Sequence, residues 1–68
     1  MVYNTFIKGV GVNISTVKLS GGGYGYVAKL NTIPIPVESS RGMARDLSSA
    51  ICKGINRSRV YLAKMEDM

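Results

Sequence analysis

Few side chains in this sequence could carry out catalysis or hold a metal ion. Its 68 residues include no histidine and a single cysteine, Cys52, so no Ser-His or Cys-His pair can form and no imidazole can join the thiol in a zinc site. The four carboxylates are Glu38, Asp46, Glu66 and Asp67, and no two of them have the spacing of an acid–base motif. We therefore predict a protein that is not an enzyme and that needs no metal or cofactor.

The glycine-rich run at residues 21–25, GGGYG, could bring backbone amides close to a phosphate group. A phosphate-binding loop, however, ends in Gly-Lys-Ser/Thr and opens a helix, whereas this run continues into the strand-like sequence YVAKL. The GxGxxA pattern at residues 23–28 enters the same strand. The run is therefore predicted to be the turn of a β-hairpin.

Two tyrosines, Tyr24 and Tyr26, share one face of the strand that follows this turn, with Lys18 and Lys29 nearby. Rings at this spacing could stack on unpaired bases while the lysines neutralise phosphates. Aromatic residues at a period of two are more often part of the core, where they would cover the helix. Both interpretations stay open at this point.

Most of the positive charge lies in the C-terminal half. Nine Lys and Arg residues against four acids give a net charge of +5. The basic residues after position 40 are Arg41, Arg45, Lys53, Arg57, Arg59 and Lys64. The first three are expected on one side of a helix, where they would face phosphate groups or an acidic protein patch. The alternative is a solvated face that only confers solubility.

The elements that would position these residues follow from the hydrophobic patterns. The first 37 residues are rich in Val, Ile, Thr and Tyr and predict strands at residues 2–8, 10–17 and 24–30. The second strand is either separate from the first or its bent continuation past the glycines. Residues 33–37, IPIPV, must be extended because of their prolines and are expected to be an edge strand or a linker.

A helix is predicted to follow, with residues 38–40 as its entry and its start near Arg41. Its apolar stripe is expected to contain Met43, Leu47, Ala50, Ile51, Gly54 and Ile55. Gly54 is the predicted C-terminal cap, with Asn56 as a second candidate. Residues 58–65 fit a final strand or a continued helix, and the strand is preferred because Val60 and Tyr61 favour β structure and a glycine precedes them.

Together these elements predict one α+β domain spanning residues 1–68. Three or four antiparallel strands form a small sheet with one amphipathic helix on one face, in the order β-β-β-α with or without a C-terminal strand. A domain this short has a thin core, so we expect it to gain stability from a protein partner or by forming a homodimer. No membrane span or signal peptide is recognisable, and a cytoplasmic location is expected.

The stretch GGGYGYVAKL, followed by SRGMARDLSSAICKGI, resembles the small HicB-like antitoxin half-domain, in which a Gly-Gly-Tyr hairpin precedes an amphipathic helix. The resemblance covers about half of the chain. The chain lacks the Pro-Gly-Cys-like turn usual in that family and has a basic helix in place of an acidic one, so the toxin binding of the family does not carry over. In size the chain is also similar to phage-encoded inhibitors, including anti-CRISPR proteins.

The predicted function is that of a non-catalytic binding protein, a regulator or inhibitor of phage or mobile-element type, that docks on another protein through a basic helix face with exposed tyrosines as anchors. The alternative is a basic module that binds nucleic acid. The contact residues expected for either partner are Arg41, Arg45, Lys53, Arg57, Arg59, Tyr24 and Tyr26.

Overall fold

The structure, a computed structural model that describes residues 1–66, contains four antiparallel strands and one helix. The strands are β1 (Val2–Ile7), β2 (Val10–Lys18), β3 (Tyr24–Leu30) and β4 (Val37–Ala44), and the helix is α1 (Leu47–Glu66). The strands lie in the order β1-β2-β3-β4, so each pairs with its neighbour in sequence. The predicted α+β fold, an antiparallel sheet with one helix, is confirmed.

Tight turns join the first three strands. Lys8 and Gly9 both have positive φ, 52° and 78°, which is the geometry of a two-residue type I′ hairpin turn. β1 and β2 are therefore separate strands. The next turn depends on Gly23, where φ is 82° and a Cβ atom would lie 2.9 Å from the carbonyl oxygen of Ala44, so only glycine fits there. The predicted hairpin around residues 21–23 is confirmed.

The proline segment is a linker between β3 and β4. It contains a cis peptide bond between Ile33 and Pro34, and the Thr32 hydroxyl donates a hydrogen bond of 2.6 Å to the Ile35 carbonyl oxygen. The isoleucine side chains are exposed. Of the two alternatives for this segment, the linker is correct, and the strand that follows begins at Val37.

The helix begins later than predicted because the residues assigned to its entry form a strand instead. Residues 38–40 and Arg41 lie in β4, which pairs with β3 on one side and shifts its register at Ser39, so hydrogen bonds of the sheet replace those of a helix there. The actual start is Leu47, where the carboxylate of Asp46 accepts a hydrogen bond of 2.7 Å from the Ser49 backbone N–H. Asp46 is thus the N-cap.

The prediction of a strand over residues 58–65 is wrong, since α1 continues to Glu66. The favourable burial of Ser58 and Leu62, four residues apart on the inner side of the helix, outweighs the β propensity of Val60. The helical alternative for this segment is therefore correct.

Gly54 is not a C-terminal cap but a packing residue in the middle of α1. A Cβ atom at this position would lie 2.9 Å from Cδ1 of Ile14, which is fully buried in β2. Ala50, Gly54 and Ser58 form a stripe of small, buried residues along the helix. This stripe allows α1 to approach the sheet closely, over a core formed by alternate residues of the strands, namely Ile7, Val12, Ile14, Tyr26, Ala28, Leu30 and Ala44.

Candidate functional site

The basic residues predicted to form one helix face are divided among several surfaces. Arg41 lies in β4 on the sheet face opposite the helix, in the same row as Ser15 and Val27. Its Nη2 and Nε atoms donate to one carboxylate oxygen of Glu38, at 2.6 and 3.1 Å. The hydrogen bond from Arg41 lowers the pKa of Glu38 and raises the pKa of Arg41. A local ion pair therefore balances the charge of Arg41, which is not part of a helix surface.

Arg45 and Lys53 lie near the junction of β4 and α1. Arg45 is exposed in the turn before the helix, whereas Lys53 is exposed in its second turn. The Lys53 ammonium donates a hydrogen bond of 3.1 Å to the carbonyl oxygen of Met43, near the end of β4. This contact directs the lysine to the β4 side of the helix.

A cleft of about 170 Å³ lies between β4 and α1, further along the same side. Its lining combines two cations, two hydroxyls, one aromatic ring and one aliphatic side chain, from Ser39, Ser40, Arg57, Val60, Tyr61 and Lys64. Val60 is 54% exposed, so it adds an apolar side chain to the surface beside the cations of the cleft. The cleft therefore places positive charge beside an apolar contact surface.

Hydroxyl groups form the floor of this cleft and hold β4 to the helix. Ser39 donates its hydrogen to the Ala28 carbonyl oxygen at 3.2 Å, so its 2.9 Å hydrogen bond with the buried Ser58 has Ser58 as the donor. Ser40 shares a hydrogen bond of 3.2 Å with the Tyr26 hydroxyl. Because these groups have partners inside the protein, the floor is structural and the cations at the rim are the groups available for binding.

Lys53, Arg57 and Lys64, with Val60 and Tyr61, form what we call the β4-side basic surface. Residues 47–65 of the helix contain no acidic side chain, so nothing on α1 within these residues balances its positive charge. Arg59 is exposed but lies about 200° around the helix from Arg57, on the opposite flank. Of the five basic residues predicted to bind together, the structure places only Lys53 and Arg57 on this surface.

The two tyrosines predicted as exposed anchors face the helix side of the sheet. Tyr26 is only 5% exposed, and a Cβ atom at Gly42 would contact its ring. Tyr24 is half-buried against the core. The interpretation in which the rings cover the helix is therefore correct. The aromatic residue of the surface is Tyr61, which sequence reasoning missed because it assigned this segment to a strand; helical periodicity places it one turn after Arg57.

The open face of the sheet carries a second concave surface that the sequence analysis did not identify. A groove of about 430 Å³ crosses β2, β3 and β4 over Gly25, where the absence of a side chain lowers the sheet surface. Its walls include Val17, Val27 and Met43. The sequence contained an indication of this surface, because the alternate strand residues that point away from the helix also include apolar side chains.

Comparison of the chain with models of known protein families, with curated proteins and with solved structures finds no match. Within residues 1–66, no helix combines the length and the apolar character that crossing a membrane requires. Nor do three or more His, Cys, Asp or Glu side chains of these residues cluster as metal ligands would. A functional proposal for this chain therefore depends on the chemistry of its surfaces.

Proposed function

We propose that this chain is a small non-catalytic binding protein, a regulator or inhibitor, that docks on an acidic surface of another protein. The observation that carries the proposal is the β4-side basic surface, where cations surround the exposed Val60 and the half-buried Tyr61. An aromatic or aliphatic anchor bordered by arginine is typical of the residues that dominate protein–protein binding energy. Charge complementarity around such an anchor selects an acidic partner and speeds association.

The spacing of the cations suits an extended acidic patch. Lys53 and Lys64 are separated by eleven positions along α1, which corresponds to about 16 Å at the rise of an α-helix. Arg57 lies between them and can bind a carboxylate through two parallel hydrogen bonds. A row of Asp or Glu side chains on a partner would match this arrangement.

A protein partner is favoured over nucleic acid because of the position of the tyrosines. Binding of single-stranded RNA or DNA commonly depends on aromatic rings that stack on the bases. Tyr24 and Tyr26 were the candidates for that role, and both lie on the helix side of the sheet, where the core covers them wholly or in part. A nucleic-acid alternative would retain phosphate binding by the cations, with the half-buried Tyr61 as the one aromatic ring among them.

A matched pair of charge reversals tests the surface. Arg57→Glu changes a residue of the β4-side basic surface, whereas Arg59→Glu makes the same change on the opposite flank of the same helix. The immobilised wild-type chain and both variants are exposed to lysate of the native host, and each retained protein is then purified and titrated against all three. We expect a host protein that binds the wild type and Arg59→Glu alike and binds Arg57→Glu at least tenfold more weakly. Equal affinity for both variants would contradict the proposal.

Nucleic acid serves as the second arm of the experiment. Labelled single-stranded and double-stranded DNA and RNA are titrated with the wild-type chain at low and at physiological salt. We expect no saturable binding at physiological salt. Tight binding at low salt that weakens steeply as salt rises, and that Arg57→Glu abolishes, would replace the protein-docking proposal with the nucleic-acid alternative.

A further inference from the structure

The strand β1 lies at the edge of the sheet and carries none of the features that usually prevent edge strands from pairing with other chains. Its six residues, VYNTFI, include no charge and no proline. Natural edge strands are commonly blocked by lysine, proline or a β-bulge, since their free N–H and C=O groups can pair with another strand. β1 pairs regularly with β2 from Val2 to Ile7, so no bulge interrupts it either.

The backbone hydrogen bonds define which groups of β1 point outward. Met1 and Thr16 exchange two hydrogen bonds, of 2.8 Å and 3.2 Å. Because such pairs alternate in an antiparallel ladder, the odd-numbered residues of β1 also direct their N–H and C=O groups toward β2. The N–H and C=O groups of Val2, Asn4 and Phe6 therefore point away from the sheet and are available to another strand.

The side chains of the same three residues lie on the open face of the sheet. Val2 is 59% exposed and Phe6 is 78% exposed, with the polar Asn4 between them. The strand is thus symmetric about Asn4, in both its outward backbone groups and its apolar side chains. An arrangement of this kind is complementary to a second copy of itself related by a two-fold axis.

We infer that two copies of this chain associate through antiparallel pairing of β1 with β1, with Asn4 opposite Asn4 of the second copy. In this register Val2 lies opposite Phe6 of the second copy, and Phe6 lies opposite its Val2. Each of the three pairs exchanges two hydrogen bonds, and the exposed apolar side chains cover one another across the axis. The two sheets become one continuous antiparallel sheet.

Other registers and other occupants fit less well. A shift by two residues leaves one of the three outward groups without a partner and places Asn4 opposite an apolar side chain. The helix packs mainly on β3 and β4 and touches β1 least, so it does not obstruct the approach of a second strand. The dimer also covers apolar surface that a domain of this length cannot bury in its own core.

A charge swap at Asn4 tests the dimer. Asn4→Lys and Asn4→Asp each place two like charges against one another across the two-fold axis, whereas an equimolar mixture places Lys opposite Asp. Sedimentation velocity over a wide range of concentrations measures the mass of each sample. We expect the wild type to dimerise as concentration rises, each variant alone to self-associate roughly tenfold or more weakly, and the mixture to regain the dimer mass.

The control variants lie away from the proposed two-fold axis. Ser15→Lys and Ser15→Asp change an exposed residue of β2 on the same face, one strand away from the edge, and should leave dimerisation unchanged. Variants that have lost their fold could not restore a dimer on mixing, so the mixture also controls for folding. A wild type that stays monomeric at all concentrations, or variants that dimerise as well as it does, would overturn the inference. Because β1 lies outside the β4-side basic surface, this result is independent of partner docking.

Discussion

The two edges of the sheet differ in how they are protected. Along β4, the helix packs alongside, Ser39 binds the buried Ser58, and Lys53 donates to a backbone carbonyl oxygen. Along β1, Ile7 is the one buried side chain, at 8% exposed, and neutral side chains border the unpaired backbone. One edge is thus closed by charged and hydroxyl side chains, while the other is left to pair.

The position of the helix accounts for this difference. The small residues of α1 allow it to lie close to the sheet, and its contacts favour β3 and β4. One helix of this size cannot cover both edges of a four-stranded sheet, because the strands together span nearly twice the width of a helix. The proposed partner docking therefore uses the β4 side of the sheet, and the proposed self-association uses the β1 side.

The largest contrast is expected between a core residue under the helix and an exposed residue of the free edge. Ile14→Ala should destabilise the fold by about 2–5 kcal/mol, since it opens a cavity beneath Gly54. Phe6→Ala, the matched control at the free edge, should change the free energy of unfolding by less than about 1 kcal/mol. Urea denaturation at a concentration where the chain is monomeric measures both. Similar losses for the two variants would show that β1 contributes to the core as much as the helix-covered strands do.

A smaller effect is expected at the contact between helix and sheet. Gly54→Ala gains about 1 kcal/mol of helix propensity but forces a methyl group against Ile14, which costs about 1–3 kcal/mol, so the net result is a loss of up to about 2 kcal/mol. Adding Ile14→Val removes the nearest methyl group and should make the double variant more stable than the sum of the single changes indicates. Asn56→Ala, on the exposed side of α1, is the control and should stabilise by about 0.5 kcal/mol. Additive effects in the double-mutant cycle would show that the contact is not tight.

The smallest effect concerns the start of the helix and depends on pH. Hydrogen bonds to the Asp46 carboxylate lower the pKa of Asp46 in the folded state. The larger effect comes from the backbone N–H of Ser49 and the smaller one from the Ser49 side chain. The stabilisation is therefore complete above the unfolded pKa of about 3.9 and is lost as pH falls through the lower folded value. Asp46→Asn keeps an acceptor but does not titrate, so thermal melts from neutral pH to about pH 2 should show a smaller acid-induced fall in Tm than for the wild type. Glu38, whose pKa is also lowered, titrates in both chains, so identical curves would contradict the role of Asp46.

The first half of the fold was predictable because its signals are local. The strands over residues 10–17 and 24–30 alternate regularly, and the glycines between them suit only a turn. The β4 strand was missed because its sequence, VESSRGMA, has weak β propensity and resembles a helix start. Tertiary contacts, namely pairing with β3 and the hydrogen bonds from α1, stabilise it as a strand.

The candidate site was predicted in part for the same reason. Lys53 was correctly assigned to the helix, because the periodicity of this segment is strong. Arg57 lies beyond the predicted cap at Gly54, so only the alternative of a continued helix placed it on α1. Arg41 was assigned to the same face, but its strand places it on the other side of the sheet, with Glu38 as its partner. An error of six residues in the helix start was therefore enough to divide the predicted surface.

Residue types alone excluded a Ser-His or Cys-His pair and an imidazole ligand for zinc. The alternation of apolar residues, with glycines between the alternating segments, indicated an α+β chain with a basic C-terminal half. These properties need no tertiary structure, since they depend on which groups are present and on the periods of 2 and 3.6 residues. Which cations share a surface depended on where β4 ends and which side of α1 is buried. That choice follows from Gly54 packing on Ile14, a contact between residues forty positions apart that no local pattern encodes.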